Sequence, residues 1–145
     1  MIFYRERGFT LIELTTVIVI IAILASIGVA TYYKVVLRAR KSMAMDLAKE
    51  VGKALQLYYQ INGNYYNESF NGSSTQLLSL DVDSDGETDI KVSLRAKYGD
   101  GNRYYYANYT SGSSHLYVNN KAKGGARVID YNYINNTWDI DENNL

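Results

Sequence analysis

The pattern of apolar and polar residues divides the chain into four stretches. Residues 1–8 form a short polar stretch. Residues 9–33 are almost wholly apolar, with Glu13 as the only charged side chain among them. Residues 34–62 carry apolar positions at helical spacing between many charges. Residues 63–145 are rich in Asn, Ser, Gly and Tyr and contain short alternating runs. This order predicts a long helix first and strands afterwards.

The two middle stretches predict one nearly continuous helix over about residues 9–61. Its apolar half is longer than the roughly 20 residues that span a bilayer. In the amphipathic half, apolar side chains recur every three or four residues and so share one helix face. Asn62-Gly63 is typical of a helix end. The apolar positions of this face are Ala44, Leu47, Val51, Leu55, Tyr58 and Ile61.

The last stretch predicts an antiparallel β-sheet, because strand-like runs follow one another with short turns between them. One face of the sheet is expected to pack on the apolar face of the helix. The tyrosines at 104–106 and 109 are interpreted as alternating between core and surface. The predicted fold class is therefore α+β. The strand candidates are residues 90–94, 103–109, 115–118 and 128–134, and the turn sequences are Asp100-Gly101-Asn102 and Ser111-Gly112-Ser113.

Composition narrows the classes of function. The 145 residues include 15 basic and 15 acidic side chains, so no overall charge attracts nucleic acid, and no specific nucleic-acid partner is predicted. The absence of cysteine excludes disulfides and thiolate metal sites. His115 is the only histidine and is interpreted as an ordinary strand or loop residue. Since the sequence contains no nucleophile–base motif or phosphate loop, an enzyme is not predicted.

The most informative segment is residues 8–14, which read Gly-Phe-Thr-Leu-Ile-Glu-Leu after a short leader containing Arg5 and Arg7. This segment resembles the processing site of type IV prepilins and type II secretion pseudopilins. The resemblance implies that a prepilin peptidase cleaves between Gly8 and Phe9 and methylates the new N-terminus at Phe9. It makes residues 1–8 the leader and residues 9–33 the half of the helix that spans the membrane and later forms the filament core.

Glu13 indicates a function independently of the resemblance. An ionised carboxylate in hydrocarbon costs free energy, so such residues are generally kept only where they have a functional role. Glu13 lies one helical turn from the ammonium that cleavage would create at Phe9. A pair between these charges, within one chain or between neighbours, would set the register of subunits. The resemblance implies this docking role for Phe9 and Glu13. A carboxylate near the membrane edge that simply reaches water is the alternative.

A second resemblance covers residues 54–65, which are similar to the end of the long helix in bacterial pilins and pseudopilins. The chain departs from many pilins in two respects. It has no proline in or after the membrane half, where Ala30 and Glu50 occupy the corresponding regions. It also lacks the paired C-terminal cysteines of many Gram-negative pilins. With this second segment, the resemblance to pilins and pseudopilins extends to about Tyr65.

The resemblance implies a structural subunit of a type IV pilus that serves adhesion, motility or DNA uptake. The precursor would lie in the inner membrane and the assembled subunit in an extracellular pilus. The implied partners are further copies of this chain, prepilin peptidase and the pilus assembly machinery, and no cofactor is required. A pseudopilin in a short periplasmic filament and a minor pilin acting as a binding module are alternatives. An ordinary secretory signal cleaved after Ala30 is a further alternative.

An acidic segment in the β-rich region has the spacing of a calcium loop. Three aspartates occupy its first, third and fifth positions, and Gly86 allows a sharp turn. Its twelfth position is Val92, so the bidentate acid of a full EF-hand is missing. A calcium site and a solvated acidic turn therefore both remain open. The proposed ligands are Asp81, Asp83, Asp85, Glu87 and Asp89.

Overall fold

The computed structural model describes residues 8–99 and 102–145. Its helix α1 spans Leu11–Asn62, which confirms the predicted long helix. The helix ends where Gly63, at φ +70°, donates its backbone N–H to the Tyr59 carbonyl. Glycine adopts this left-handed conformation without steric cost, so the predicted stop at Asn62-Gly63 is confirmed. The leader residues 1–7 and the predicted turn residues Asp100 and Gly101 lie outside the described residues.

The chain forms two compact units, one ending at Leu37 and the other beginning at Arg38. In the first unit the large apolar side chains of α1 from Leu11 to Val35 are exposed. An 18-residue window of α1 has a mean hydropathy of 2.5, and none of it is buried. By length and composition the helix can therefore cross a membrane.

Hydroxyl side chains in this apolar half bond back to carbonyls of their own helix. Thr16 donates to the Ile12 carbonyl at 2.7 Å, and Ser26 donates to the Ile23 carbonyl at 2.7 Å. Bonds of this kind satisfy a hydroxyl without water, which is what a hydrocarbon environment requires. The polar residues of the segment are thus compatible with lipid or with a dry helix bundle.

The second unit contains a six-stranded antiparallel sheet and a separate two-stranded one. The strands are β1 (Phe70–Asn71), β2 (Leu77–Leu80), β3 (Ile90–Ser93), β4 (Arg95–Lys97), β5 (Tyr104–Tyr109), β6 (His115–Asn120), β7 (Ala126–Asn132) and β8 (Thr137–Ile140). The sequence predicted a single sheet, but β3 pairs with β2 and not with the strands that follow it. In the large sheet the strand order is β1-β5-β6-β7-β8, and β4 pairs with β5 beside β1.

The apolar face of the amphipathic half is buried as predicted at Ala44, Leu47, Val51 and Leu55. The prediction for Ile61 was wrong, because its side chain is 55% exposed. A 3.6-residue period that passes through positions 51, 55 and 58 reaches 62 rather than 61. At that position the amide of Asn62 turns inward and donates to the Val82 carbonyl at 2.8 Å.

Close contact between helix and sheet occurs at Gly52. A Cβ built on this residue would lie 2.5 Å from Cε1 of Tyr131, so the tyrosine ring packs directly on the helix backbone. The Tyr131 ring also stacks on Trp138, with ring centroids 3.8 Å apart. Tyr131 is thus buried between helix and sheet.

The prediction that the tyrosines at 104–106 and 109 alternate between core and surface was wrong, because all four side chains are buried. Tyr105 stacks on Tyr98, whereas on the other face of β5 Tyr104 is covered by Arg95 and by the ring of Tyr106.

Tyr105 gives a stability prediction, since its side chain is fully buried and its hydroxyl has no hydrogen-bond partner among the described residues. Burial raises the pKa of Tyr105 to about 12. We expect Tyr105→Phe to leave stability unchanged or to raise it by up to about 1 kcal/mol, because an unpaired buried hydroxyl is removed. Thermal unfolding of the full chain in detergent, followed by near-ultraviolet circular dichroism, measures the effect.

Tyr133→Phe is the matched control, because the Tyr133 hydroxyl donates to the Ser113 carbonyl at 2.7 Å. Its loss is expected to cost about 1 kcal/mol. Equal losses in the Tyr105 and Tyr133 variants would show that the Tyr105 hydroxyl has a stabilising partner, contrary to this account.

Candidate functional site

The start of α1 is built by a reciprocal pair of side chains. The Glu13 carboxylate oxygen Oε2 accepts from both the backbone N–H and the hydroxyl of Thr10, each at 2.8 Å. In return, the Glu13 N–H donates to the Thr10 hydroxyl at 3.3 Å. This arrangement is a capping box, in which Thr10 and Glu13 satisfy donors that the first helical turn leaves without partners.

The capping box fixes where the candidate docking carboxylate lies. Glu13 is held at the N-terminal end of the helix, beside the residues at which cleavage is predicted. A carboxylate at this end also interacts favourably with the helix dipole. The sequence reasoning gave Glu13 a role but missed Thr10, although the spacing Thr-x-x-Glu before an apolar run is a readable signature.

Gly8 and Phe9 precede the helix in an exposed segment. Phe9 is 86% exposed, and no atom of the described residues lies within 4 Å of a Cβ built on Gly8. Within the described part of the chain, nothing therefore shields the peptide bond between them from another protein. Cleavage there would leave Thr10 as the second residue of the new chain, so the capping box would survive processing.

The acidic segment forms a loop whose backbone is folded around its carboxylates. Asp81 accepts from the N–H groups of Ser84 and Gly86, at 2.7 and 2.9 Å. Asp89 closes the loop by accepting from the Val82 N–H at 2.7 Å. Ser84 and Gly86 have positive φ values, 63° and 90°. This conformation makes the turn tight enough for the backbone N–H groups to reach the Asp81 carboxylate.

Three of the five predicted ligands come together in this loop. Carboxylate oxygens of Asp81, Asp83 and Asp89 lie within 4.8 Å of one another. Among the described residues, Asp85 and Glu87 are not part of this group. The Asp85 carboxylate instead accepts from the backbone N–H of Glu87 at 2.8 Å. Calcium binding here stays a prediction.

Calcium is expected to raise the melting temperature of the second unit by binding the loop only when it is folded. With a dissociation constant of about 1 mM, as in weak extracellular sites, 10 mM calcium would add about 1.4 kcal/mol. Asp81→Asn should remove this gain, whereas Asp139→Asn, on β8, should keep it. Thermal unfolding in calcium and in EDTA makes the comparison, and identical curves for the unmutated chain would contradict the prediction.

A long apolar helix whose amphipathic half packs on a C-terminal antiparallel sheet defines an α+β, pilin-like fold. Residues 4–29 match the family model described as the prokaryotic N-terminal methylation motif. This match contains Gly8, Phe9 and Glu13 and confirms the resemblance on which the processing prediction rests.

The chain is also similar to two curated fimbrial proteins. It is 45% identical over 58 residues to fimbrial protein EcpC of Eikenella corrodens, which covers 40% of this chain and 38% of that protein. It is 38% identical over 77 residues to a fimbrial protein of Neisseria meningitidis, which covers 53% of this chain and 44% of that protein. The chain thus matches less than half the length of either relative. No solved structure matches it.

Proposed function

We propose that this chain is a structural subunit of a type IV pilus. In this proposal a prepilin peptidase cleaves the precursor between Gly8 and Phe9 at the inner membrane and methylates Phe9. The processed chains then assemble through the apolar half of α1. The observation that carries the proposal is the exposed apolar half of α1, in which Glu13 is the single acidic side chain and whose start lies within a methylation motif.

The exposed apolar side chains need a surrounding other than water. Each large apolar side chain that is fully buried gains roughly 1.5–3 kcal/mol relative to exposure. The lipid bilayer offers that environment to the precursor, and neighbouring copies of the same helix offer it in a filament. Transfer from one to the other changes hydration little, so helix packing and specific polar contacts decide whether subunits leave the membrane.

Glu13 supplies the specific polar contact in this proposal. Its carboxylate, held by Thr10, would accept the methylated ammonium of Phe9 from a neighbouring subunit. A charge buried in a helix bundle is tolerated only with such a partner, so misaligned subunits would be penalised by several kcal/mol. The contact therefore selects one stagger between neighbours.

A pseudopilin is the second candidate function, and the acidic loop favours it. The resemblance drawn from the sequence includes pseudopilins, whose major members typically bind calcium in the C-terminal domain. Asp81, Asp83 and Asp89 lie in the corresponding part of this chain and converge. Both candidates share processing and helix-mediated assembly, and they differ in the length and location of the filament.

Immunogold electron microscopy of cells that produce the chain tests the proposal. Labelled surface filaments are expected for the unmutated chain and for Glu50→Ala, a change at an exposed position in the amphipathic half of α1. Gly8→Val should block cleavage and leave the label in the inner membrane. Absence of labelled filaments together with loss of protein secretion on deletion would favour the pseudopilin. Filaments formed by the Gly8 variant would contradict the proposed processing.

A further inference from the structure

A groove of about 610 Å³ opens on the second unit between β1 and β2. Its volume lies in the range of small-molecule sites. One wall carries the aromatic rings of Tyr66 and Phe70, and the opposite wall carries β2, including the exposed side chain of Leu77. This groove was not signalled by any motif in the sequence.

The aromatic wall is held rigidly. Phe70 stacks on Tyr109, with ring centroids 5.3 Å apart and planes 24° apart. The Tyr109 hydroxyl donates to the Tyr66 carbonyl at 3.0 Å. Phe70 therefore presents a partly exposed ring in a fixed orientation, which is a suitable platform for the apolar C–H face of a flat ligand.

The turn beside this wall is also fixed by the rest of the fold. Arg95 donates from Nε to the Gly72 carbonyl at 2.6 Å and from Nη2 to the Ser73 carbonyl at 2.7 Å. Asn71 accepts the Ser73 N–H at its side-chain oxygen, which leaves its amide NH₂ as the donor. Preorganised walls of this kind lower the entropic cost of binding.

The polar groups of the groove are almost all uncharged. The exposed residues Thr75 and Ser79 line the groove together with Asn71. Among the described residues that line the groove, Glu68 is the only charged one, and its carboxylate already accepts from the Tyr66 hydroxyl at 3.1 Å. Without a cation in the wall, phosphates, nucleic acids and acidic sugars have no charged partner there.

Of the two strands that line the groove, β1 does not suit an added peptide strand. β1 is only two residues long. The Asn71 carbonyl already accepts the N–H groups of Ser74 and Thr75, at 3.1 and 2.9 Å. Strand addition depends on a row of free backbone groups, and β1 does not offer one.

From these observations we propose that the groove binds a neutral saccharide. One sugar ring packs its C–H face on Phe70, and its hydroxyls exchange hydrogen bonds with Asn71, Thr75, Ser79 and the Glu68 carboxylate. Hydroxyl, amide and carboxylate groups together supply both donors and acceptors, which is what sugar hydroxyls require. The inference goes beyond the filament role and does not depend on assembly, because every residue it uses lies in the second unit.

Saturation-transfer difference NMR tests the proposal on the full chain in dodecylphosphocholine micelles, a detergent without a sugar headgroup. The probes are lactose, maltose and N,N′-diacetylchitobiose. We expect saturable transfer to at least one of them, with a dissociation constant on the order of 1 mM, typical of a small polar ligand in an open groove.

Two groove variants and one control locate the binding. Phe70→Ala and Ser79→Trp should each weaken binding at least tenfold, the first by removing the platform and the second by filling the groove. Ser79 is exposed, so its variant decides the matter if Phe70→Ala fails to fold. Tyr117→Ala, an aromatic change on β6 outside the groove, should bind normally. Transfer to none of the probes, or unchanged binding in both groove variants, would overturn the proposal.

Discussion

Glu13→Ala is expected to abolish filaments while leaving the precursor in the membrane. In the proposed filament the variant leaves the Phe9 ammonium of a neighbouring subunit buried without a partner. Loss of one member of a buried charge pair costs about 3–5 kcal/mol, which corresponds to roughly 150- to 5,000-fold at each contact. Sheared-filament yield, compared with the membrane-bound pool by immunoblot, measures the effect.

Two further variants separate assembly from helix capping. Glu50→Ala removes an exposed carboxylate from the amphipathic half of α1 and should assemble normally. Thr10→Val removes the hydroxyl that Glu13 contacts but keeps the carboxylate, so it should cost about 1 kcal/mol of helix capping and reduce the yield only partly. A normal filament yield from Glu13→Ala would remove the docking role from this residue.

Gly72→Ala is expected to destabilise the second unit by about 3 kcal/mol, a fall in melting temperature of roughly 12 to 20 °C. A Cβ at this position would lie 2.7 Å from the Leu94 carbonyl oxygen and 2.8 Å from that of Ala107. Both obstacles are backbone atoms, and the Leu94 oxygen also accepts the Ala107 N–H. Relief of the clash therefore requires movement of β5 or of the link between β3 and β4.

The neighbouring change Ser73→Ala is the control for Gly72→Ala. Ser73 is held through its backbone, by Asn71 at its N–H and by Arg95 at its carbonyl, and alanine keeps both bonds. Its melting temperature should stay within about 2 °C of the unmutated chain. If Gly72→Ala melts with the control, the close approach of backbones at this turn does not contribute to stability as described.

The helix and the start of the chain were predictable because their signals are local and repeated. More than fifty residues of consistent pattern define α1, and the motif around Gly8, Phe9 and Glu13 is contiguous in sequence. The capping interaction of Thr10 was equally local but was overlooked beside the stronger functional motif. Even the error at Ile61 concerns a helix end, where the pattern has few residues left to define its phase.

The sheet was predicted only in part, because strand pairing depends on distant partners. The long strands β5, β6 and β7 have six or seven residues each and were identified, whereas β1, β4 and β8 have two to four residues each. Such short runs carry too little alternation to be recognised. The groove could not be predicted from the sequence for the same reason. Phe70 and Ser79 line one groove only because β1 pairs with β5 and β2 lies nearby.

In the acidic loop, the spacing of the aspartates did not predict which carboxylates come together. The carboxylates of Asp81, Asp83 and Asp89 converge, whereas that of Asp85, which the same spacing included, does not join them. Asp81, Asp85 and Asp89 all accept backbone N–H bonds within the loop. Which carboxylates meet is therefore decided by the path of the backbone through the turn, and spacing alone does not reveal that path.

The N-terminal sequence and intact mass of the chain, purified from the membranes or filaments of its cells, test the central claim most directly. The account predicts a chain that begins at Phe9 and carries one added methyl group. A chain that begins at Thr31 would mean that an ordinary secretory signal had been removed together with Glu13. That result would contradict both the proposed processing and the assembly through α1.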